Sequence, residues 1–439
     1  MKKNYQTKAA SAATPEVSMP DVVAVTLTEV AGAVKEGLLA LAVGTGFQVM
    51  HAVIDESVFS LCGPKGKHDP DRQAVRHGTE KGSVVLGGRK VPVRRPRVRS
   101  ADDTHEVAVP AYDLFSSTDL LDNLTLDRMM AKLSTRRYAN ALEPVGTEVG
   151  AQAKSTSRTA VSRRFVKMTE KALDDMMHAD LSELDIVAML VDGVGFGEHL
   201  CVVALGIDIE GSKHPLGLIE GTTENATVVK DLLVNLRDRG LDVTKPIYVA
   251  IDGAKALRSA VKSVFDRPLI QRCQEHKIRN VIGYLPDGLR STVTMKMRSA
   301  YHQSNATTAE AALRNLAADL DKSHPGAAAS LREGLEETLT VIRLGVHESL
   351  ARTLRSTNTI ESMIEICRDH STNVKRWQDG TMALRWCAAG MIEAKKQFRR
   401  INGYKHLQAL RVALDKHAPA TKNSNAEAVT PAGYDEAAA

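Results

Sequence analysis

Apolar and polar positions follow two different rhythms along this chain, and the switch between them marks out a core. Residues 186–191 (IVAMLV) and 247–251 (IYVAI) are uninterrupted apolar runs, the pattern of strands buried on both faces. Between them, Val228, Val229, Leu232, Leu233 and Leu236 recur at helical spacing. The succession predicts a strand, helix, strand unit with parallel strands. An Asp closes each run, Asp192 in LVDGV and Asp252 in AIDGAK. Neighbouring strands lie ~4.8 Å apart, so carboxylates at the same ends of adjacent parallel strands are placed to share a cation.

A second helical pattern carries a third acid. Ile360, Met363, Ile364 and Cys367 form one apolar stripe, and Glu361, Glu365 and Arg368 fall on an adjacent face. Asn358 is the expected N-cap, and Glu361 then stands where a capping-box Glu would reach back to the cap, so on pattern alone capping explains it as well as metal binding does. From Asp252 to Glu361 there are 109 positions (252 to 361), too many for one loop inside a compact fold. A helical insertion is expected there: Leu313, Leu316 and Leu320 share a face, Pro325-Gly326 interrupts, and Leu331, Leu335, Leu339 and Ile342 resume.

Charge adds candidate binding surfaces. The net charge is only +5, but residues 72–99 hold nine Lys or Arg against the single acid Glu80, interleaved with Val84, Val85, Val91, Val93 and Val98 around Gly87-Gly88. That reads as a basic β-hairpin suited to a DNA backbone, with Arg94, Arg95 and Arg97 as contacts; a merely solvated charge run is the alternative. Two short helices over 126–132 and 135–142 are predicted, then a third over 154–168 capped by Ser155 or Ser157. They suggest a helix-turn-helix-like segment presenting Arg158 and Arg163, or an ordinary bundle covering the core. Of the two tryptophans, Trp386 in WCAAGMI reads as packing, and Trp377, beside Lys375 and Arg376, as the better candidate to stack on DNA.

The segments LVDGV, AIDGAKAL, PLIQRCQEHKIRNV and RSTNTIES, in that order, resemble the Mutator family of bacterial insertion-sequence transposases from about residue 76 to about residue 410. The resemblance implies an α/β, RNase H-like mixed sheet flanked by helices, with an all-α insertion and a mainly helical N-terminal DNA-binding region. It implies that Asp192, Asp252 and Glu361 are both catalytic residues and metal ligands, with Arg368, Cys273 and His276 in support. SMIEI after the Glu departs from the family, whose members carry a more polar and basic run. Three hard carboxylates suit Mg²⁺, with Mn²⁺ as a substitute, and paired ions ~3.5–4 Å apart are a known way to run in-line displacement at phosphorus. Cutting and 3′-hydroxyl strand transfer are both implied, on double-stranded DNA supplying terminal inverted repeats and target, by a homo-oligomer assembled on DNA.

Cys273-x-x-His276 and Cys367-x-x-His370 together would supply a Cys₂His₂ zinc set, but the pairs stand 94 positions apart (273 to 367) and Cys367 belongs to the apolar stripe. Five scattered cysteines form no disulfide framework and suit a reducing interior. No apolar stretch long enough for a membrane span and no Walker-type phosphate loop occur in the sequence, so a cytoplasmic, membrane-free and ATP-independent protein is expected. The expected organisation is 1–19 disordered; 20–120 N-terminal helices and basic hairpin; 121–180 helix-turn-helix-like; 181–283 core; 284–350 helical insertion; 351–414 C-terminal helices of the core; 415–439 disordered tail. Two other functions fit: an RNase H-like nuclease or recombinase without strand transfer, and a non-catalytic DNA-binding relative. The intact acidic trio argues against the latter.

Overall fold

A computed structural model of the chain describes residues 37–142 and 150–418, apart from His68, Pro70, Gln152 and Ser155. The expected disordered stretch 1–19, the tail beyond 418 and the candidate cap Ser155 lie outside the described residues. The chain divides into two compact units, one ending at Phe165 with residues 130–132 excluded, the other holding those three residues and everything from Val166 on.

In the first unit, helix α1 (Leu38–Cys62) sets Met50, Ile54, Val58 and Cys62 on one face at four-residue intervals. They pack on Ala74, Val84, Val91 and Val98 of a long hairpin, β1 (Ala74–Leu86) and β2 (Arg89–Ser100), to which β3 (Glu106–Val107) adds a short edge. Gly87 and Gly88 turn the hairpin with φ of 54° and 75°, the positive pair that a two-residue turn requires and that glycine tolerates without strain. Helices α2 (Pro110–Ser116) and α3 (Asp119–Met130) follow, then a single 3₁₀ turn, Ala139–Ala141. The expected helix pair 126–132 and 135–142 is therefore replaced by one helix that starts seven residues earlier (126 to 119) and a set of turns. Helix α4 (Arg158–His178) starts four residues after the expected 154 (154 to 158) and runs ten beyond the expected 168 (168 to 178); Ser157, one of the two candidate caps, accepts the Ala160 N–H through Oγ at 3.3 Å.

The second unit is built on a five-stranded sheet of order β6-β5-β4-β7-β8. Strands β4 (Ile186–Phe196), β5 (His199–Asp208) and β6 (Lys213–Glu220) form an antiparallel meander; β7 (Ile247–Ile251) and β8 (Pro268–Arg272) join it parallel to β4. Helix α5 (Ala226–Asp238), capped by the Asn225 side chain, is the helix expected between the two apolar runs, and β4 and β7 are parallel as expected. The antiparallel strands β5 and β6 intervene, however, so that α5 connects β6 rather than β4 to β7; α6 (Lys255–Val264) joins β7 to β8.

Side chains alternate across the sheet as strand geometry demands. Met189 and Val191 face Leu232, Leu233, Val261 and their neighbours on α5 and α6, whereas Ala188, Leu190 and Val194 belong to the opposite core layer with Ile360, Met363, Cys387 and Met391. Every residue of 186–191 is buried, which accounts for the unbroken apolar run.

Helices α7 (Gln274–Gly283) to α12 enclose a separate core, with α8 Asp287–Tyr301, α9 Ala306–Asp321, α10 Pro325–Arg332, α11 Leu335–Thr338 and α12 Thr340–Arg343. Pro325 does not merely interrupt the pattern; it occupies the first turn of α10, where its missing N–H costs nothing. Helices α13 (Glu348–Leu354), α14 (Asn358–His370), α15 (Gly380–Gln397) and α16 (Leu407–His417) return to the sheet. Regular helix in α16 thus extends beyond 415, where the tail was expected to begin. Among the described residues no helix is long and apolar enough to cross a membrane.

Helix α15 passes close to α14 at Gly390, where an added Cβ would stand 2.8 Å from Cys367 Cα. Gly390→Ala gains intrinsic helix propensity, about 1 kcal/mol, but forces apart the helix that carries Glu361. A net loss of about 1–3 kcal/mol is expected from overpacking, read as a lower denaturant midpoint at unchanged m. Stability at or above that of the parent would show that the two helices have room to separate.

Candidate active site

The strand register brings the two aspartates together. Val191 pairs with Ile251 across β4 and β7, so Asp192 and Asp252 are the next residues on adjacent parallel strands. Beyond that pair the strands differ. β7 ends and Gly253, at φ 115°, turns the chain away, while β4 runs on to Phe196 paired only with β5, Asp192 opposite Val203. Asp192 therefore stands inside its strand rather than closing it, as the sequence pattern had suggested.

Each carboxylate commits one oxygen locally. Asp192 Oδ1 accepts the Gly193 N–H at 2.8 Å, Asp252 Oδ1 accepts the Ala254 N–H at 2.8 Å, and Glu361 Oε1 accepts the Thr357 hydroxyl at 2.6 Å. The second oxygen of each has no hydrogen-bond partner among the described residues. Burial pushes the Asp192 carboxyl up to about 6; the Gly193 hydrogen bond and the His276 charge oppose this, and the negative charges of Asp252 and Glu361 add to it. Glu361 is thus near enough to be felt electrostatically by Asp192. The tightest grouping is a different one, however. Among the described residues, the one set of three possible metal-binding side chains with ligand atoms all within 4.8 Å of one another is Cys273, His276 and Glu361. The two aspartates and Glu361 do not form so compact a set.

Cys273 follows β8 directly, its N–H bonded to Ile251 O at 2.8 Å beside Asp252. Its sulfur accepts the backbone N–H of His276 at 3.5 Å, capping α7, and that of Thr357 at 3.4 Å, the residue before α14. Burial raises the thiol pKa, but the interactions with His276 and Thr357 outweigh it and hold the group below its ordinary value. His276 moves the other way: its interaction with Cys273 raises it against the cost of burial, helped by the charges of Cys273, Asp192 and Glu361. His276 Nδ1 lies 3.3 Å from Thr357 Oγ1 and 3.9 Å from Glu361 Oε1. Thr357, fully buried, was not singled out from the sequence, although it lies within the RSTNTIES motif.

The remaining candidates are dispersed. Arg368 is exposed on α14, its side chain without a partner among the described residues, and Glu365 is exposed on the same helix. Cys367 is buried, and His370 Nδ1 contacts Met130 O at 2.6 Å, so this pair does not join Cys273 and His276. Trp377 is half-buried, its ring centroid 5.0 Å from Phe196 and 6.3 Å from Trp386, which is buried as expected. In the first unit Arg94 is exposed and donates to Thr79 Oγ1. Arg95 pairs with Glu80 at 2.9 Å and lies over Tyr112, and Arg97 pairs with Glu106 at 3.1 Å. Such solvent-screened pairs contribute little, so they compete weakly with a phosphate. Arg158 and Arg163 are both exposed on the N-terminal half of α4.

Comparison with known proteins gives this geometry a context. The profile described as "Transposase, Mutator family" matches residues 24–400. The chain belongs to the Mutator family of transposases. Its relatives include the transposase for insertion sequence element ISRM5 of Rhizobium meliloti, 24% identical over 366 residues, covering 83% of this chain and 89% of that protein. The transposase for IS6120 of Mycolicibacterium smegmatis is 31% identical over 195 residues, 43% of this chain and 59% of that protein. The transposase for IS256 in transposon Tn4001 of Staphylococcus aureus is 22% identical over 334 residues, 74% and 82% of the two chains.

The raised Asp192 pKa sets a pH dependence whose sign follows from linkage. Between about pH 4 and pH 6 the folded state binds a proton that the unfolded chain has released, so stability falls as pH rises through that window. At pH 7 the ionised carboxylate costs up to about 3 kcal/mol, at about 1.4 kcal/mol per tenfold change in proton affinity. Asp192→Asn is expected to melt above the parent at pH 7 to 8 in chelator, with the difference vanishing near pH 4. Mg²⁺ should raise the parent's Tm and leave the variant's unchanged. A gain independent of pH would show that Asp192 carries no such penalty.

Proposed function

We propose that this member of the Mutator family is a DNA transposase with an RNase H-like core, which cleaves DNA at the ends of an insertion sequence and joins the freed 3′ hydroxyl to target DNA. Asp192, Asp252 and Glu361 act as its catalytic carboxylates. The reading is carried by one observation: Asp192 lies within electrostatic range of both Asp252 and Glu361, and each of the three carboxylates keeps an oxygen unbonded. Carboxylates held this way repel one another, and a divalent cation is the group that offsets the repulsion. Their oxygens suit Mg²⁺, or Mn²⁺ in its place. When bound, the metal supplies Lewis-acid activation of the attacking oxygen and charge stabilisation of the leaving one.

The protein's part is positional. The strand register fixes the Asp192–Asp252 pair, and the Thr357 hydroxyl orients Glu361 through one oxygen and leaves the other unbonded. His276 stands beside Glu361 as a hydrogen-bond donor to a substrate phosphate, and Cys273 fixes both helix starts through its sulfur. Cutting and joining reuse the same carboxylates, with water and then the DNA 3′ hydroxyl as nucleophile, and no covalent protein intermediate is required. The basic hairpin with Arg94, Arg95 and Arg97, the exposed Arg158 and Arg163, and the Trp377 and Arg368 side chains hold duplex DNA, including the terminal inverted repeats. The protein works as a homo-oligomer on DNA in the cytoplasm, without ATP and away from membranes.

Ala substitution of Asp192, Asp252 or Glu361 should reduce cleavage of an end-bearing duplex by at least roughly a thousandfold, as loss of a group acting on the transition state does, with duplex binding nearly unchanged. Glu365→Ala should cleave as the parent does. A pre-nicked end in place of the intact duplex tests joining by itself. Retained cleavage in the Glu361 variant would reassign the third carboxylate, and cleavage without joining would make the protein a nuclease.

A further inference from the structure

A second cationic site lies next to the carboxylates, in a cleft of about 470 Å³ lined by Lys255, Arg258, Arg272, Arg314 and Arg332. It forms where α6 and the end of β8 meet the helical insertion, at the α10–α11 connection. Three carboxylates share the lining, Glu333, Glu336 and Glu337, and two more, Glu310 and Asp321, hold Arg314 and Arg332. Most of these ion pairs are surface pairs between exposed side chains, of the kind worth little and readily exchanged for another anion.

Arg272 is different. It is 5% exposed, and of its guanidinium only Nε is bonded, to Glu337 Oε2 at 2.8 Å. Its two Nη groups have no hydrogen-bond partner among the described residues. These N–H groups are not sealed from solvent but open onto the cleft, where the planar guanidinium fork matches the oxygens of a phosphate. The backbone is shaped around this side chain. Gly334 adopts φ +59°, and a Cβ there would overlap the Arg272 guanidinium.

The cleft also adjoins the proposed reaction centre. Arg272 pairs in register with Ile251, the residue before Asp252, and Lys255 opens α6 three positions after it. A DNA strand carries a phosphate for each ~3.4 Å of axis, so a strand engaged at Asp252 brings further phosphates to its flanks. We propose that this cleft is a phosphate-binding subsite that grips the DNA backbone beside the scissile position, with Arg272 as its buried fork and Lys255 and Arg314 as its outer cations. The proposal rests on the transposase reading given above and deepens it.

The test measures duplex DNA binding by the full-length protein across a KCl titration. Lys255→Ala/Arg314→Ala removes two exposed cations at no cost to the core. It should flatten the slope of log K against log salt by roughly 1 to 2 and weaken binding about tenfold at 0.1 M KCl. Gly334→Ala displaces Arg272 while leaving the charge unaltered, and should weaken binding in the same direction. Lys296→Ala, which removes an exposed cation outside the cleft, should bind like the parent. Thermal melts establish that each variant is folded, and the exposed double variant carries the test should Gly334→Ala unfold.

The source of the phosphate is read from activity. Loss of joining alone assigns it to target DNA, and loss of both cleavage and joining assigns it to the element end or its flank. Parental binding in both cleft variants, or an equal loss in Lys296→Ala, overturns the subsite and leaves the transposase reading standing. A parent that neither binds nor cuts DNA overturns both.

Discussion

The parallel pairing of β4 with β7 is the constraint on which the rest of the second unit depends. Strand side chains alternate faces, so a slip of one residue would move every buried side chain of β7 to the opposite core layer and carry Asp252 away from Asp192. The register is held because both layers are filled. Val249 and Ile251 are needed by α5 and α6 on one side, Tyr248 and Ala250 by the returning helices on the other. Tyr248 adds a polar lock, its hydroxyl donating to Leu354 O at 2.8 Å from within the core. The location of the aspartates is therefore a by-product of apolar packing.

What packing positions, it also penalises. Asp192 is desolvated at the point where β4 outruns β7, and its neighbours are acidic. Nearby acids elsewhere in the unit are handled differently: Glu337 is answered by Arg258 and Arg272, and Asp208 by His214. No Lys or Arg forms an ion pair with Asp192, Asp252 or Glu361 among the described residues. The basic side chain beside them is His276, 3.9 Å from Glu361, so the charge of these acids is left largely uncompensated by the protein, which is what the cation proposed above would offset.

How far the sequence carried this reading differs by element. The apolar runs at 186–191 and 247–251 and the helix between them were legible because buried parallel strands and a one-sided helix impose strong periodicities. The glycine pair turning the basic hairpin and the Asp252–Glu361 insertion were legible for similar local reasons. The continuation of β4 through LVDGV was not. Its partner β5 is supplied by pairing across the sheet, and an acid followed by a glycine reads locally as a break. The helix pair 126–132 and 135–142 failed because caps and short apolar spacings recur in turns as well as in helices. Arg95 and Arg97 read as free charges, and their partners Glu80 and Glu106 become visible only once β1 and β3 flank β2.

The hardest question in the sequence was whether Glu361 is a cap or a ligand, and hydrogen bonding decides what it is free to do. A capping-box Glu accepts the N–H of the N-cap residue. Here the cap is Thr357 rather than Asn358, since Ile360 N and Glu361 N both bond to Thr357 O. That shift puts Glu361 one position past the place a capping box requires. The Thr357 N–H, moreover, is already taken by Cys273 Sγ. With its capping duty filled by a sulfur from the end of β8, Glu361 is needed by neither the helix nor the core. It is turned instead by the Thr357 hydroxyl beside His276, which leaves it available for the role proposed above.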